Sequence, residues 1–175
     1  MKRCLIGFLG ISVVGILLHN AYAWTKPFPL FALIAPVNES VWEHLKMAYW
    51  GVLIWAAIEG LFTRKKMKNV FPALVTGTLV FILTILIVFY SYTAFTQTSV
   101  LLIDIATFFV GAFFCQWISC RIRNSREMKR PLQNIALAIL VGISLLFILF
   151  TFYPPEADIF RDHSKSQIET NHRFN

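Results

Sequence analysis

NESVWEHLK, residues Asn38–Lys46, places two carboxylates, an imidazole, an amide, a hydroxyl and an ammonium within nine residues. The stretch lies between strongly apolar blocks, where such groups are costly unless they find partners. Its position therefore marks where one apolar block ends and the next begins. It is also where we expect polar chemistry to lie.

The composition is that of a membrane protein. The 175 residues are 57% hydrophobic and 14% charged, whereas soluble domains are about one quarter charged. The apolar residues lie in long blocks, and about 20 consecutive apolar residues suffice to cross a bilayer as a helix. The sequence predicts an all-α membrane domain over residues 1–155 with five spans, at about 4–24, 38–62, 70–90, 100–120 and 132–152, and a polar tail over 156–175.

The basic residues predict the orientation. Short basic clusters at Lys2–Arg3, Arg64–Lys68 and Arg121–Arg130 all fall on one side of the predicted spans. The positive-inside rule then gives an N-in/C-out, multi-pass protein of the plasma membrane, with the lipid bilayer as its partner. Despite the net charge of +7, we expect no nucleic-acid partner, because the cations are confined to short loops. The sequence leaves homo-oligomerisation and other protein partners open.

The first apolar block has two interpretations. A basic start and the small-residue pattern Ala21-Tyr22-Ala23 are also typical of a cleaved signal peptide. We expect an uncleaved helix, because Tyr22 and Trp24 resemble the aromatic belt that ends a membrane span. The three cysteines are odd in number and lack CxxC spacing, so we expect small apolar packing residues and no disulfide framework.

Residues 26–36 contain three prolines, which predicts an irregular or re-entrant segment before the second span. Asn38 or Ser40 is the expected N-cap. Helical spacing then places Glu39, Glu43 and Lys46 on one face, with Glu43 and Lys46 as an ion pair. Ser40 and His44 lie on a neighbouring face, where the hydroxyl of Ser40 is expected to fix the imidazole tautomer.

Four segments bring polar groups to the predicted outer end of the bundle. Ionisable groups within a membrane are candidates for function by default. From them Glu43 and His44 are the candidate catalytic residues. The sequence leaves the cofactor open, with a divalent metal as the candidate. The candidate metal ligands are His19, His44, Glu43 and Asp104, and the surrounding polar cluster consists of Asn38, Glu39, Ser40, Lys46, Tyr153 and Glu156.

Two resemblances bear on function. The Ser-x-x-x-His spacing with a distant Asp resembles that of the adiponectin-receptor and alkaline-ceramidase superfamily, which implies a metal-dependent membrane hydrolase. That superfamily has a later His-x-x-x-His pair, whereas this chain has only His163 and His172 in its tail.

The second resemblance covers both ends of the chain and is more specific. The segments LHNAYAW (18–24), APVNESVWEHLK (35–46) and Tyr153-Pro154-Pro155, with Phe160 and Asp162, resemble a family of uncharacterised bacterial integral membrane proteins. The resemblance implies an uncleaved first helix and names no reaction. Family members often have a histidine after the Pro-Pro pair, where this chain has Glu156.

The sequence therefore predicts an integral membrane protein with an outward-facing polar site built around Asn38–Lys46, and it names no molecular activity. Three more specific hypotheses about function follow. The first is a membrane-embedded, metal-dependent hydrolase acting on a lipid or another interfacial substrate. The second is a small ion-coupled transporter subunit that uses Glu39, Glu43 and Lys46. The third is a non-enzymatic scaffold or sensor in which the polar cluster fixes helix packing.

Overall fold

The fold is a bundle of five long helices. The computed structural model of the chain describes residues 2–25, 28–63 and 67–162. Five of the helices are long and apolar enough to cross a membrane, which confirms the predicted all-α, five-helix architecture. The elements are α1 (Lys2–Trp24), α2 (Pro29–Ala32), α3 (Val41–Phe62), α4 (Val70–Thr96), α5 (Leu101–Arg123), α6 (Arg130–Phe152) and a 3-10 turn (Asp158–Phe160). Lys26, Pro27, Arg64, Lys65, Lys66 and the tail from His163 onward, with His172, lie outside the described residues.

Helix α4 continues past its apolar block to Thr96, beyond the predicted end of the span at Tyr90. Threonine hydroxyls make this polar extension compatible with helix, because they bond back to carbonyls of the preceding turn. Thr93 Oγ1 donates to Phe89 O at 2.7 Å, and Thr96 Oγ1 donates to Tyr92 O at 3.1 Å. Gln97, with a left-handed φ of 57°, ends the helix.

Small residues let the helices approach closely. A Cβ at Gly51 of α3 would lie 3.9 Å from the Cα of Gly15 in α1, so these two backbones are in direct contact. A Cβ at Gly77 of α4 would lie 2.9 Å from the carbonyl oxygen of Cys115 in α5. Such contacts between small residues are typical of helix packing in membranes. The outer faces of the helices remain rich in exposed leucine, isoleucine and phenylalanine, as lipid-facing surfaces are.

A carboxylate joins three helices at the end of the bundle that carries the N-terminus. Glu59 of α3 pairs with Arg3 of α1 at 3.3 Å and with Arg123 of α5 at 2.5 Å. Its side chain is only 10% exposed, so the two guanidinium groups compensate a nearly buried charge. Glu59 therefore ties α1, α3 and α5 together at this end.

The prediction that the cysteines are only packing residues is wrong for two of them. Cys4 and Cys120 form a disulfide between α1 and α5, with their Cα atoms 6.0 Å apart, while Cys115 is free and buried. Spacing along the chain could not reveal this bond, since the partners are separated by 116 residues. They meet because α1 and α5 begin and end at the same end of the bundle.

Candidate functional site

The start of α3 is fixed by its own polar side chains. Ser40 is the N-cap, and its hydroxyl accepts a hydrogen bond from Glu43 N at 3.3 Å. Asn38 Oδ1 accepts from Ser40 N at 2.9 Å, which is the Asx turn that commonly precedes a helix. The predicted N-cap role is confirmed for Ser40, and the helix proper begins only at Val41.

This helix start changes the surroundings of Glu39. Because Glu39 precedes the N-cap, the helical spacing that would align it with Glu43 and Lys46 does not apply, and that part of the prediction is wrong. Its carboxylate Oε2 lies instead 3.5 Å from His44 Nε2. Glu39 therefore joins the face of Ser40 and His44.

The tautomer of His44 follows from its contact with the backbone. His44 Nδ1 lies 2.9 Å from the carbonyl oxygen of Ser40. A carbonyl oxygen can only accept, so Nδ1 carries a proton, and Nε2 is the ring nitrogen that faces the Glu39 carboxylate. The prediction named the hydroxyl of Ser40 for this role, but that hydroxyl accepts from Glu43 N. A histidine that donates one ring N–H to a backbone carbonyl has the arrangement usual for metal ligands.

His19 of α1 completes a group of three. Its ring centroid lies 5.9 Å from that of His44. One ligand atom each from His19, Glu39 and His44 lie within 4.8 Å of one another. Bond lengths of about 2.0–2.2 Å require ligand atoms roughly 3.4 Å apart around a tetrahedral zinc ion. The side chains of His19 and Glu39 are exposed, so burial does not hold them in their present positions.

Glu43 and Lys46 form the predicted ion pair, but they do so inside the protein. Glu43 Oε2 lies 2.6 Å from Lys46 Nζ, and the two side chains are 3% and 0% exposed. Lys46 also donates to Ala32 O at 2.8 Å and to Thr151 Oγ1 at 3.0 Å, while Glu43 Oε2 accepts from Val37 N at 2.9 Å. This pair ties the proline-rich segment, α3 and α6 together.

Next to the three ligand candidates lies a cavity of about 290 Å³, bounded by α3, α4 and α5. Its polar lining includes Glu39, His44 and Asp104, and the remaining wall is mostly apolar, with Val41, Ile85, Phe89, Leu101 and Phe108. Neither Glu43 nor Lys46 lines it. A cavity with few polar groups on an apolar wall suits an amphiphilic ligand.

Asp104 is held by a tyrosine from the neighbouring helix. Tyr92 OH donates to Asp104 Oδ1 at 2.6 Å and accepts from Val100 N at 3.1 Å. Sequence reasoning marked Asp104 but missed Tyr92, because most tyrosines other than Tyr153 were interpreted as belt residues. No local signal pointed to it, because the contact depends on the polar extension of α4 reaching the start of α5.

Two predicted members of the polar cluster lie elsewhere. Tyr153 and Glu156 are exposed and do not line the cavity. The segment that follows them folds back, and the ring of Phe160 lies 4.8 Å from that of Trp42. Of the four metal ligands predicted, the structure brings His19 and His44 together with Glu39, places Asp104 on the same cavity, and separates Glu43 from them. The catalytic roles of Glu43 and His44 stay predictions.

The fold and the location of the site define a multi-pass helical protein of the membrane class, with a polar site at one end of the bundle. The chain belongs to a family of unknown function, DUF6512, whose family model matches residues 1–169. This confirms the resemblance to an uncharacterised family. Comparisons with curated proteins and with solved structures gave no match.

Proposed function

We propose that this protein is a membrane-embedded, metal-dependent hydrolase that acts on a lipid or another interfacial substrate. The observation that carries the proposal is the convergence of His19, Glu39 and His44 beside a largely apolar cavity. Two imidazoles and one carboxylate form a ligand set used by catalytic zinc, in which three protein ligands leave a position for water. The contact of His44 Nδ1 with the Ser40 carbonyl supports a role as ligand, since it orients the ring and leaves Nε2 as the nitrogen directed toward Glu39.

The chemistry follows from the open position. A divalent ion lowers the pKa of a bound water and polarises a carbonyl oxygen. His19, Glu39 and His44 would hold the ion, which would supply an activated water for addition to the carbonyl carbon of an ester or amide as the bond to the leaving group breaks. Asp104, held by Tyr92, would take the proton from that water and give it to the leaving group. The apolar wall of the cavity would hold the acyl part of the substrate.

The transporter hypothesis finds less support. Its proposed coupling group includes Glu43 and Lys46, and both side chains are enclosed and absent from the lining of the cavity. An ion-coupling charge has to meet the ion or the solvent that carries it. The Glu43–Lys46 pair supports instead the part of the scaffold hypothesis that concerns helix packing.

Metal content is the first test. We expect the purified protein to retain close to one transition-metal ion per chain by elemental mass spectrometry. His44→Ala and Glu39→Gln should each remove most of it, because each deletes one of three ligands. His163→Ala is the matched control, since it removes a histidine of the C-terminal tail, and it should keep the metal. Absence of metal from the wild type, after purification without chelators and after zinc has been offered, would contradict the proposal.

Hydrolysis is tested separately from binding. Asp104→Asn should keep the metal and lose turnover of ester- or amide-linked lipid substrates, because the carboxylate moves protons and is not a ligand in this scheme. Retention of metal without hydrolysis of any such substrate by the wild type would leave the metal site standing and overturn the enzymatic part.

We also infer the N-in/C-out orientation in the plasma membrane, which would place the site at the outward face. The positive-inside rule supports it. The Cys4–Cys120 disulfide argues the other way, because it lies at the end assigned to the cytoplasm, where thiols are normally kept reduced. The orientation can be tested with variants that carry a single introduced cysteine at Gln97 or at Ser125 and are labelled in intact cells. An impermeant maleimide should label the first and spare the second, and the reverse pattern would overturn the orientation.

A further inference from the structure

A second cavity lies at the opposite end of the bundle from the proposed metal site. It is a groove of about 870 Å³ between α1 and α5. Its apolar walls are Leu5 and Phe8 on α1 and Phe113 and Trp117 on α5, and its polar lining includes Lys2 and Arg121. The groove therefore has one cationic end and an apolar length.

Helical spacing explains this polarity. Lys2, Leu5 and Phe8 recur every three residues on α1, and Phe113, Trp117 and Arg121 recur every four residues on α5. Both spacings keep side chains on one face of a helix. Because α1 leaves this end of the bundle and α5 returns to it, the two cations meet at the same level. From Arg121 to Phe113 the groove runs about 12 Å along the helix, which is most of one hydrocarbon leaflet of roughly 15 Å.

The two cations differ from Arg3 and Arg123, which lie at the same end of the bundle. Arg3 and Arg123 both pair with Glu59. Within the described residues, no ion pair involves Lys2 or Arg121. The guanidinium of Arg121 lies instead 5.0 Å from the ring centroid of Trp117, which directs it along the wall of the groove. Two positive charges therefore remain for an anion.

The groove has exposed apolar walls, and a disulfide links these two walls. Leu5, Phe113 and Trp117 are 59%, 51% and 47% exposed, and in a bilayer such apolar faces contact acyl chains. The Cys4–Cys120 disulfide holds the two walls together, with Cα atoms 6.0 Å apart at the cationic end. The geometry of the walls is thus set by a covalent bond and not by the ligand.

We propose that this groove is a binding site for an anionic phospholipid. The phosphate lies between Lys2 and Arg121, and an acyl chain follows Leu5, Phe8 and Phe113 toward the bilayer centre. Basic pockets between membrane helices are known to bind anionic lipid headgroups. An inorganic phosphate would use only the cationic end, whereas a lipid uses the apolar length as well. The site is independent of the metal centre and of the hydrolase proposal.

Native mass spectrometry of the full-length protein, released from micelles with defined lipids, tests the proposal. Phosphatidylglycerol should be retained in preference to phosphatidylcholine. The double variant Lys2→Gln/Arg121→Gln should lower retention of phosphatidylglycerol about 30-fold, taking about tenfold per 1.4 kcal/mol and about 1 kcal/mol per cation. The matched control Arg126→Gln/Arg130→Gln removes one cation from the loop after α5 and one from the start of α6. Neither lines the groove, so this variant should bind like the wild type.

A further variant separates a lipid site from a simple charge effect. Leu5→Trp keeps both cations and places a larger ring in the groove at an exposed position, so this variant should bind phosphatidylglycerol more weakly. Inorganic phosphate at the same concentration should not be retained by the protein. Equal retention of the two lipids, equal loss in the control pair, or full binding by Leu5→Trp would each overturn the assignment.

Discussion

Replacing Lys46 with methionine is expected to lower the free energy of unfolding by about 3–5 kcal/mol, as removal of one partner from a buried ion pair usually does. The ammonium is fully enclosed, and its three donors are all used, by Glu43, Ala32 O and Thr151. Methionine has similar length and no charge, so it leaves the Glu43 carboxylate buried beside a single backbone donor. Thermal or denaturant unfolding in a fixed detergent measures the change.

A second variant separates the charge from the packing. Glu43→Gln/Lys46→Met removes both charges while the glutamine oxygen can still accept from Val37 N, so most of the lost stability should return. Arg161→Met is the matched control, because its (i, i+3) pair with Asp158 is 78% and 62% exposed and such pairs contribute little. If Lys46→Met has the same free energy of unfolding as the wild type, the enclosed Glu43–Lys46 pair does not stabilise the fold as proposed.

The pair also bears on the proposed metal centre. Glu43 holds Val37 N at 2.9 Å, and Glu39, two residues further, carries one of the three ligand atoms. We therefore expect Lys46→Met to lower metal retention along with stability and the double variant to restore both together.

Asn69→Ala is expected to cost about 3–4 kcal/mol. The side-chain amide donates to Ile122 O at 3.1 Å and Arg126 O at 3.0 Å, and its oxygen accepts from Met128 N at 2.8 Å. Asn69 is 1% exposed, so replacement with alanine leaves its backbone partners buried without a hydrogen bond. Loss of these bonds costs about 1–3 kcal/mol of folding free energy. The backbone φ of 51° adds roughly 1–2 kcal/mol for a residue other than glycine or asparagine.

Two variants divide these contributions. Asn69→Gly loses the same hydrogen bonds but relieves the backbone, so it should be less damaging than Asn69→Ala. Gln97→Ala is the matched control, because Gln97 has a similar φ of 57° and an exposed side chain. Glutamine already carries the backbone cost that alanine would carry, so this variant should change the stability little. Equal stability of Asn69→Ala and the wild type would mean that this amide does not join the segment before α4 to the segment between α5 and α6.

The sequence predicted the helices well because length and hydropathy determine which segments cross a membrane. It also predicted the Glu43–Lys46 pair, since an (i, i+3) spacing within one helix is local. Glu39 was placed on the wrong face because the prediction depended on which residue caps α3, and one position of difference changes the side of the helix. The contacts of Asn69 and Cys4 join segments far apart in the chain, and those of Tyr92 cross the turn between α4 and α5. No periodicity within one helix encodes any of them.

Helix α4 has 27 residues, about 40 Å, against a hydrocarbon thickness of about 30 Å. The helix must accommodate its extra length either by tilting or by extending beyond the hydrocarbon layer. The threonine-rich end of α4 favours extension into the headgroup layer. Tyr92 lies in that end, and through Asp104 it borders the cavity. With α4 projecting in this way, the cavity mouth would lie at the boundary where lipid ester linkages meet water. Hydrophobic mismatch thus becomes a property of the site: a thicker bilayer would submerge the mouth, and a thinner one would raise it toward water.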